Sequence, residues 1–273
     1  MQTIPLPKKI EYIPGNEPNQ GQIIIEPCFP GYGITIGNAL RRVLLSSLPG
    51  AAVVGIKIKG INHEFSALPH LKEDMLEFTL NLKQIRFKVF SEEPVKLELD
   101  IHGKKEIKAG DIKKNSAVEI ANPDFVLGHI TDMAGSLVAE ILVEKGMGYV
   151  MVENREKKEK EIGFIEIDSI FSPVLKVGIK VDNVRVGKLT NFDKLILDIK
   201  TDGTISPEEA FNESAKILIE QFGSLEIGKD ESAKTIAKEE AKKIEAETEA
   251  AEEISEAEEE PAEKKKRGRP KKA

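Results

Sequence analysis

Tryptophan is absent from this chain of 273 residues and aromatic residues make up only 5% of it, so the interior has to be packed with aliphatic side chains. A single cysteine, Cys28, excludes an internal disulfide and fits a reducing compartment. No apolar run reaches the roughly 18 residues a membrane span needs. The opening segment MQTIPLPKKIEYIPGNEP also lacks the unbroken apolar centre of a secretory signal. These absences predict a cytoplasmic protein with no membrane partner. Net positive charge is missing too. At −7 the chain cannot carry the broad basic face that wraps nucleic acid.

What remains is a composition for one or two ordinary domains, 40% hydrophobic and 32% charged. GQIIIEP (21–27) reads as a strand, and 35–48 as a helix ended by LPG. AAVVGIKIKGI and VKLELDI alternate as strands, and a helix is expected between them around Lys72 to Leu82. There Leu71, Met75, Phe78 and Leu82 recur at helical spacing and form a core face. AVEIANPDFVLGHI, GSLVAEILVEKGMGYV and GFIEIDSI are further strand candidates. The charged run ENREKKEKE (153–161) reads as a solvated loop. KLILDIKT alternates well and leads into a helix with a local start signal, in which Ser206 is N-cap, Pro207 first residue and Glu209 the reciprocal partner. Phe211, Ala215, Leu218 and Phe222 follow as an apolar stripe, and Gly223 is the expected stop.

FPGYGITIGNALRRVLLSSLPG (29–50) poses the functional question. Gly31 and Gly33 follow a strand and open a helix, as phosphate-binding loops do. A dinucleotide fingerprint requires a third glycine where Ile36 stands, and a P-loop requires Gly-Lys-Ser/Thr where the chain has Gly37-Asn38-Ala39. Glycine that lets the backbone turn tightly is the plainer reading. His63, His70, His102 and His129 lack metal-ligand spacing, and G-x-S-x-G and paired D-x-D aspartates are missing, so neither a metal, a cofactor nor a catalytic centre is expected. The helix instead sets Arg41 and Arg42 among Leu40, Val43, Leu44 and Leu45. Such a helix is either a core helix with snorkelling arginines or a surface that grips another chain.

GYGITIGNALRRVLLSSLPGAAV, INHEFSALPHLKEDMLEFTLNLK, NPDFVLGHITD, EKGMGYV, IDSIFSPVLKV and TNFDKLILDIKTDGTISPEEAF run collinearly, from about residue 10 to 225, with the bacterial RNA polymerase alpha-subunit family, which this sequence resembles. The resemblance implies an α+β fold. Residues 1–50 and 175–225 would form a discontinuous dimerisation subdomain, an antiparallel sheet with two helices. Residues 51–174 would be an inserted, mostly-β subdomain. It further implies a homodimer that scaffolds assembly and recruits the beta and beta-prime subunits, without catalytic residues of its own. By resemblance Ile36, Leu40, Leu44, Phe211, Leu218 and Phe222 are the candidate dimer seam. Arg42 would hold beta, with Arg41, Leu45 and Lys83 beside it in the large-subunit contacts.

Typical members continue into a small helical DNA-binding domain, which nothing here resembles. In its place residues 226–273 read as a disordered tail, rich in Glu and Ala over 239–263 and almost wholly basic over 264–272. Arg267, Gly268, Arg269 and Pro270, followed by Lys271, resemble an AT-hook, whose arginines suit the narrow, strongly negative minor groove of A/T-rich DNA. A tether of about 40 residues of coil reaches roughly 35 Å, enough to meet DNA beside an enzyme. A merely solubilising tail is the alternative.

Overall fold

A computed structural model describes residues 4–155 and 163–225. The chain divides into two units, Met1–Glu220 and Gln221–Ala273, and of the second only residues 221–225 are described. All of the expected tail, including Arg267, Gly268, Arg269, Pro270 and Lys271, therefore lies outside the described residues, as do residues 156–161 of the charged run.

The first unit opens with β1 (Lys9–Pro14) and β2 (Gln20–Cys28), followed by helix α1 (Tyr32–Ser46) and β3 (Pro49–Ile58). Helix α2 (Met75–Leu82) is followed by β4 (Phe87–Val89), β5 (Val95–His102), β6 (Glu106–Lys108), β7 (Val118–Ile120) and β8 (Val126–His129). The long β9 (Ser136–Met147) precedes β10 (Tyr149–Val150), β11 (Phe164–Glu166) and β12 (Ser169–Ile170). A final hairpin, β13 (Val174–Val186) and β14 (Leu189–Thr201), leads to α3 (Pro207–Ser224). The fold is α+β and every strand pairing described is antiparallel.

Two four-stranded sheets carry two separate cores. The first runs β1–β2–β14–β13, so a strand from the start of the chain pairs with the final hairpin. Its core joins Ile23 and Ile25, Leu40 and Leu44, Leu195, Leu197 and Ile199. The second sheet runs β11–β3–β9–β5. In β5 burial alternates without a break, Val95, Leu97, Leu99 and Ile101 pointing inward, as a strand with one wet face requires. Met75, Phe78 and Leu82 of α2 are fully buried against this sheet's core, as their helical spacing predicted. Burying each such side chain is worth about 1.5–3 kcal/mol. Asp74 caps α2, its carboxylate accepting the Glu77 N–H at 2.7 Å.

Local signals fixed some ends and not others. The Ser206–Glu209 box forms as expected. Glu209 N–H donates to Ser206 Oγ (3.2 Å) and Ser206 N–H donates to Glu209 Oε2 (3.1 Å). Gly223 does not stop the helix; α3 runs to Ser224, and Leu225 N–H closes it on the Phe222 carbonyl. The segment AVEIANPDFVLGHI is two short strands, β7 and β8, rather than one. Helix α1 begins at Tyr32, not at residue 35, for a reason that belongs to the site.

Candidate protein-interaction surface

Gly31 and Gly33 do not form an open loop. Gly31 is the N-cap of α1 in the left-handed region (φ 86°), which glycine adopts without strain, and Gly33 already lies in the first turn. Neither has a side chain to cap the helix, and the first turn holds no acid. The cap comes from β14. One oxygen of the buried Asp193, Oδ2, accepts the N–H groups of Gly31 (2.9 Å) and Gly33 (3.1 Å). A carboxylate at a helix N-terminus satisfies orphan donors and meets the positive end of the dipole. The amides that a phosphate would use are occupied by the chain itself, and the nucleotide-cradle alternative loses its site.

The glycines serve close approach instead. A Cβ on Gly33 would sit 2.9 Å from Asp193 Cβ, and one on Gly37 would sit 2.9 Å from Leu195 Cδ1 and 3.2 Å from Ile179 Cγ2. Helix α1 therefore lies directly on β13 and β14, with Leu40 and Leu44 driven into the core beneath it. That contact turns the opposite side outward. Arg41 and Arg42 are exposed, Leu45 is at the margin of exposure beside them, and neither guanidinium has a hydrogen-bond or ion-pair partner among the described residues. Lys83, the remaining candidate in this group, is half-buried at the C-cap of α2.

The candidate seam residues are distributed unevenly. Leu40, Leu44 and Phe211 are enclosed in the chain's own core; Ile36 and Leu218 pack against that core and are half-buried; Phe222 is 61% exposed. Ile34 on α1 and Ile219 on α3 are exposed apolar residues that the sequence pattern did not single out.

Other chemistry is sparse. Burial pushes the Cys28 thiol up, the nearby Asp193 charge adds to this, and the buried sulfur donates to the Ile25 carbonyl at 3.7 Å. It is a packed residue and not a poised nucleophile. Among the described residues no group of three or more His, Cys, Asp or Glu side chains could hold a metal ion, and no helix is long and apolar enough to cross a membrane. Arg155 departs from the solvated loop expected of its charged run. Its Nη1 donates to the Val54 carbonyl (2.7 Å), and its Nη2 to the Ile167 carbonyl and Ser169 Oγ (2.7 Å each). Nothing in the run's sequence separates this anchored arginine from its neighbours.

The sheet built around β3, β9 and β5 falls within a recognised class of domain: the profile of the RNA polymerase Rpb3/RpoA insert domain matches residues 56–172. Over 227 residues the chain is 48% identical to the DNA-directed RNA polymerase subunit alpha of Symbiobacterium thermophilum, covering 82% of this chain and 72% of that protein. The corresponding subunits of Carboxydothermus hydrogenoformans and Moorella thermoacetica are 49% and 46% identical over 202 residues, 74% of this chain and 64% of each of theirs. The chain belongs to the family of bacterial DNA-directed RNA polymerase alpha subunits, components of a nucleotidyltransferase, and spans about two thirds of the length of these relatives.

Proposed function

We propose that this chain is a homodimeric assembly scaffold that performs no chemistry itself and recruits the beta and beta-prime subunits of a DNA-directed RNA polymerase. The observation that carries it is α1, a helix fastened at its N-terminus by Asp193 and along its length by glycine contacts, which presents two unengaged arginines and Leu45 outward. A helix held in place by its packing, with free guanidinium groups on its outer side, fits the capture of carboxylates on another protein, since little backbone order remains to be imposed on binding. Residues 1–50 and 175–225 would supply the two-fold contact and residues 51–174 the insert. Because Leu40, Leu44 and Phe211 are committed to the interior, Ile36, Leu218 and Phe222 are the seam candidates left with surface to offer a second copy. A two-fold dimer displays each α1 patch twice, so one patch would meet beta and the other beta-prime.

Replacing Arg42 by alanine in the full chain should leave the dimer intact on gel filtration and weaken capture of beta. Loss of the dimer itself, or undiminished capture, contradicts the assignment. The basic end, Arg267 to Lys271, is proposed to bind A/T-rich duplex DNA. With at most seven cationic side chains over residues 264–272, the log affinity of the whole basic end should fall with log salt at a slope no steeper than about −6. Equal affinity for G/C-rich duplex would reduce it to generic charge.

A further inference from the structure

Residues 104–114 run against the charge of the chain around them. They hold five lysines and two acids, in a chain whose net charge is −7. Ile107, Ala109 and Ile112 of this run are buried in the core of the second sheet, which turns Lys104, Lys105, Lys113 and Lys114 outward, where all four are exposed. Backbone hydrogen bonds pin the run on both flanks. Ala109 N–H donates to the Phe125 carbonyl (2.9 Å) and Gly110 N–H to the Pro123 carbonyl (2.8 Å). On the other flank Lys113 N–H donates to the Glu98 carbonyl (2.9 Å) of β5, the edge strand of its sheet.

Between these anchors lies a cavity of about 330 Å³. Leu97, Ile112, Val118, Ile120 and Pro123 give it apolar walls, and Lys113, Lys114 and Glu119 also line it. Apolar walls with a few polar groups, in a volume of this size, suit the uptake of one large side chain or small ligand. The cations beside it are not committed elsewhere. Lys104 and Lys114 have no ion-pair or hydrogen-bond partner among the described residues. Lys113 pairs with Glu98 at 2.7 Å, but the two side chains are 58% and 63% exposed, so the pair is weak and open to exchange with an incoming carboxylate.

The interspersed acids decide which anion fits. Glu98, Asp111 and Glu119 would repel a continuous polyanion such as a phosphate backbone, which also has nothing to place against apolar walls. A peptide with separate carboxylates on either side of one bulky apolar residue meets the lysines with the former and fills the cavity with the latter. We infer that the cavity between β5 and residues 110–123, flanked by Lys113 and Lys114, binds a short acidic segment of a partner protein through one bulky apolar side chain. This site uses none of the α1 residues and does not rest on the assembly function proposed above.

Because the chain has no tryptophan, the peptide Glu-Asp-Trp-Asp-Glu added to the full-length protein reports only its own surroundings. Its emission should shift to the blue and saturate as the indole leaves water. The peptide Glu-Asp-Leu-Asp-Glu should displace it at concentrations at least tenfold lower than Glu-Asp-Ser-Asp-Glu, which has the same charge. The double substitution Lys113→Glu/Lys114→Glu should weaken binding at least tenfold at an unchanged unfolding midpoint, and Lys113→Arg/Lys114→Arg should retain it. Lys188→Glu, exposed in the turn between β13 and β14, should bind as the parent does. Parent-like binding by the double glutamate variant removes the site from this place. Equal displacement by the serine and leucine peptides, or saturation without a blue shift, removes the cavity from the contact. Better displacement by short duplex DNA than by the leucine peptide makes it a phosphate site and overturns the peptide reading.

Discussion

The two main sheets treat their apolar residues differently. The sheet of β11, β3, β9 and β5 closes its core within the chain: α2 lies in it, and the small ribbons β4–β7 and β6–β8 contribute Phe87, Val89, Ile107 and Leu127. The sheet of β1, β2, β14 and β13 does not finish. Ile25 and Ile23 of β2 are buried, yet Ile10 and Tyr12, directly across from them on β1 and so on the same face, are exposed. A row of apolar residues runs out from the helix-covered core to an open margin. The core of the second sheet is covered by the chain's own helix and ribbons, whereas the first sheet keeps a continuous apolar row that the proposed second copy would cover.

Substitutions can break or sharpen that contrast. The largest effect belongs to the closed core: Phe78→Ala should cost about 3–5 kcal/mol in urea unfolding, since the fully enclosed ring leaves a cavity. A cost near zero would mean the insert core is loosely packed. Next comes Asp193→Ala, which leaves two amide donors of the α1 start unsatisfied and should cost about 2–3 kcal/mol. Asp193→Asn, still able to accept both, should cost about half as much. Smaller is the pH effect of Glu73, buried beside β8. Its burial favours the neutral acid, but the His129 ring nitrogen and backbone N–H, both at 2.7 Å, outweigh this and set its pKa below the usual glutamate range. A lowered acid contributes stability that is full above its unfolded pKa and is lost as pH falls through the folded one. The stability advantage of the parent over Glu73→Gln should therefore be present at neutral pH and be lost once Glu73 itself is protonated; an advantage that persists in strong acid would refute the pairing. Smallest is Ile10→Ser on the open margin, which should change monomer stability by no more than about 0.5 kcal/mol. Its effect should fall instead on the dissociation constant of the proposed dimer.

How far these features could be read from the sequence depended on how local their causes are. The α3 start was legible because Ser206 and Glu209 satisfy each other within one turn. The inner face of α2 was legible because Met75, Phe78 and Leu82 follow one period. The α1 start was not, since its cap is a carboxylate 160 or more positions away, and two glycines with no acid nearby look like a loop. Strand β1 was not singled out although Ile10 and Tyr12 alternate with Lys9 and Glu11, because the run is short and bounded by Pro7 and Pro14. Arg155 was hidden for a related reason: a charge run gives no sign of which carbonyls its arginine will meet. Of the candidate surface, Arg41, Arg42, Leu45 and Lys83 came from family resemblance, and only the fold shows that α1 turns both guanidinium groups outward.

The pairing of β2 with β14 also has a bearing on synthesis. Ile25 meets Leu195, so the first long strand made has only β1 beside it until the ribosome has released nearly the entire folded region. Strands β3, β9 and β5 lie closer together in the chain and can close sooner, at a smaller entropic cost of bringing distant segments together. On a nascent chain the insert would ripen first, and the platform for a second copy would come into being only after β14 has emerged.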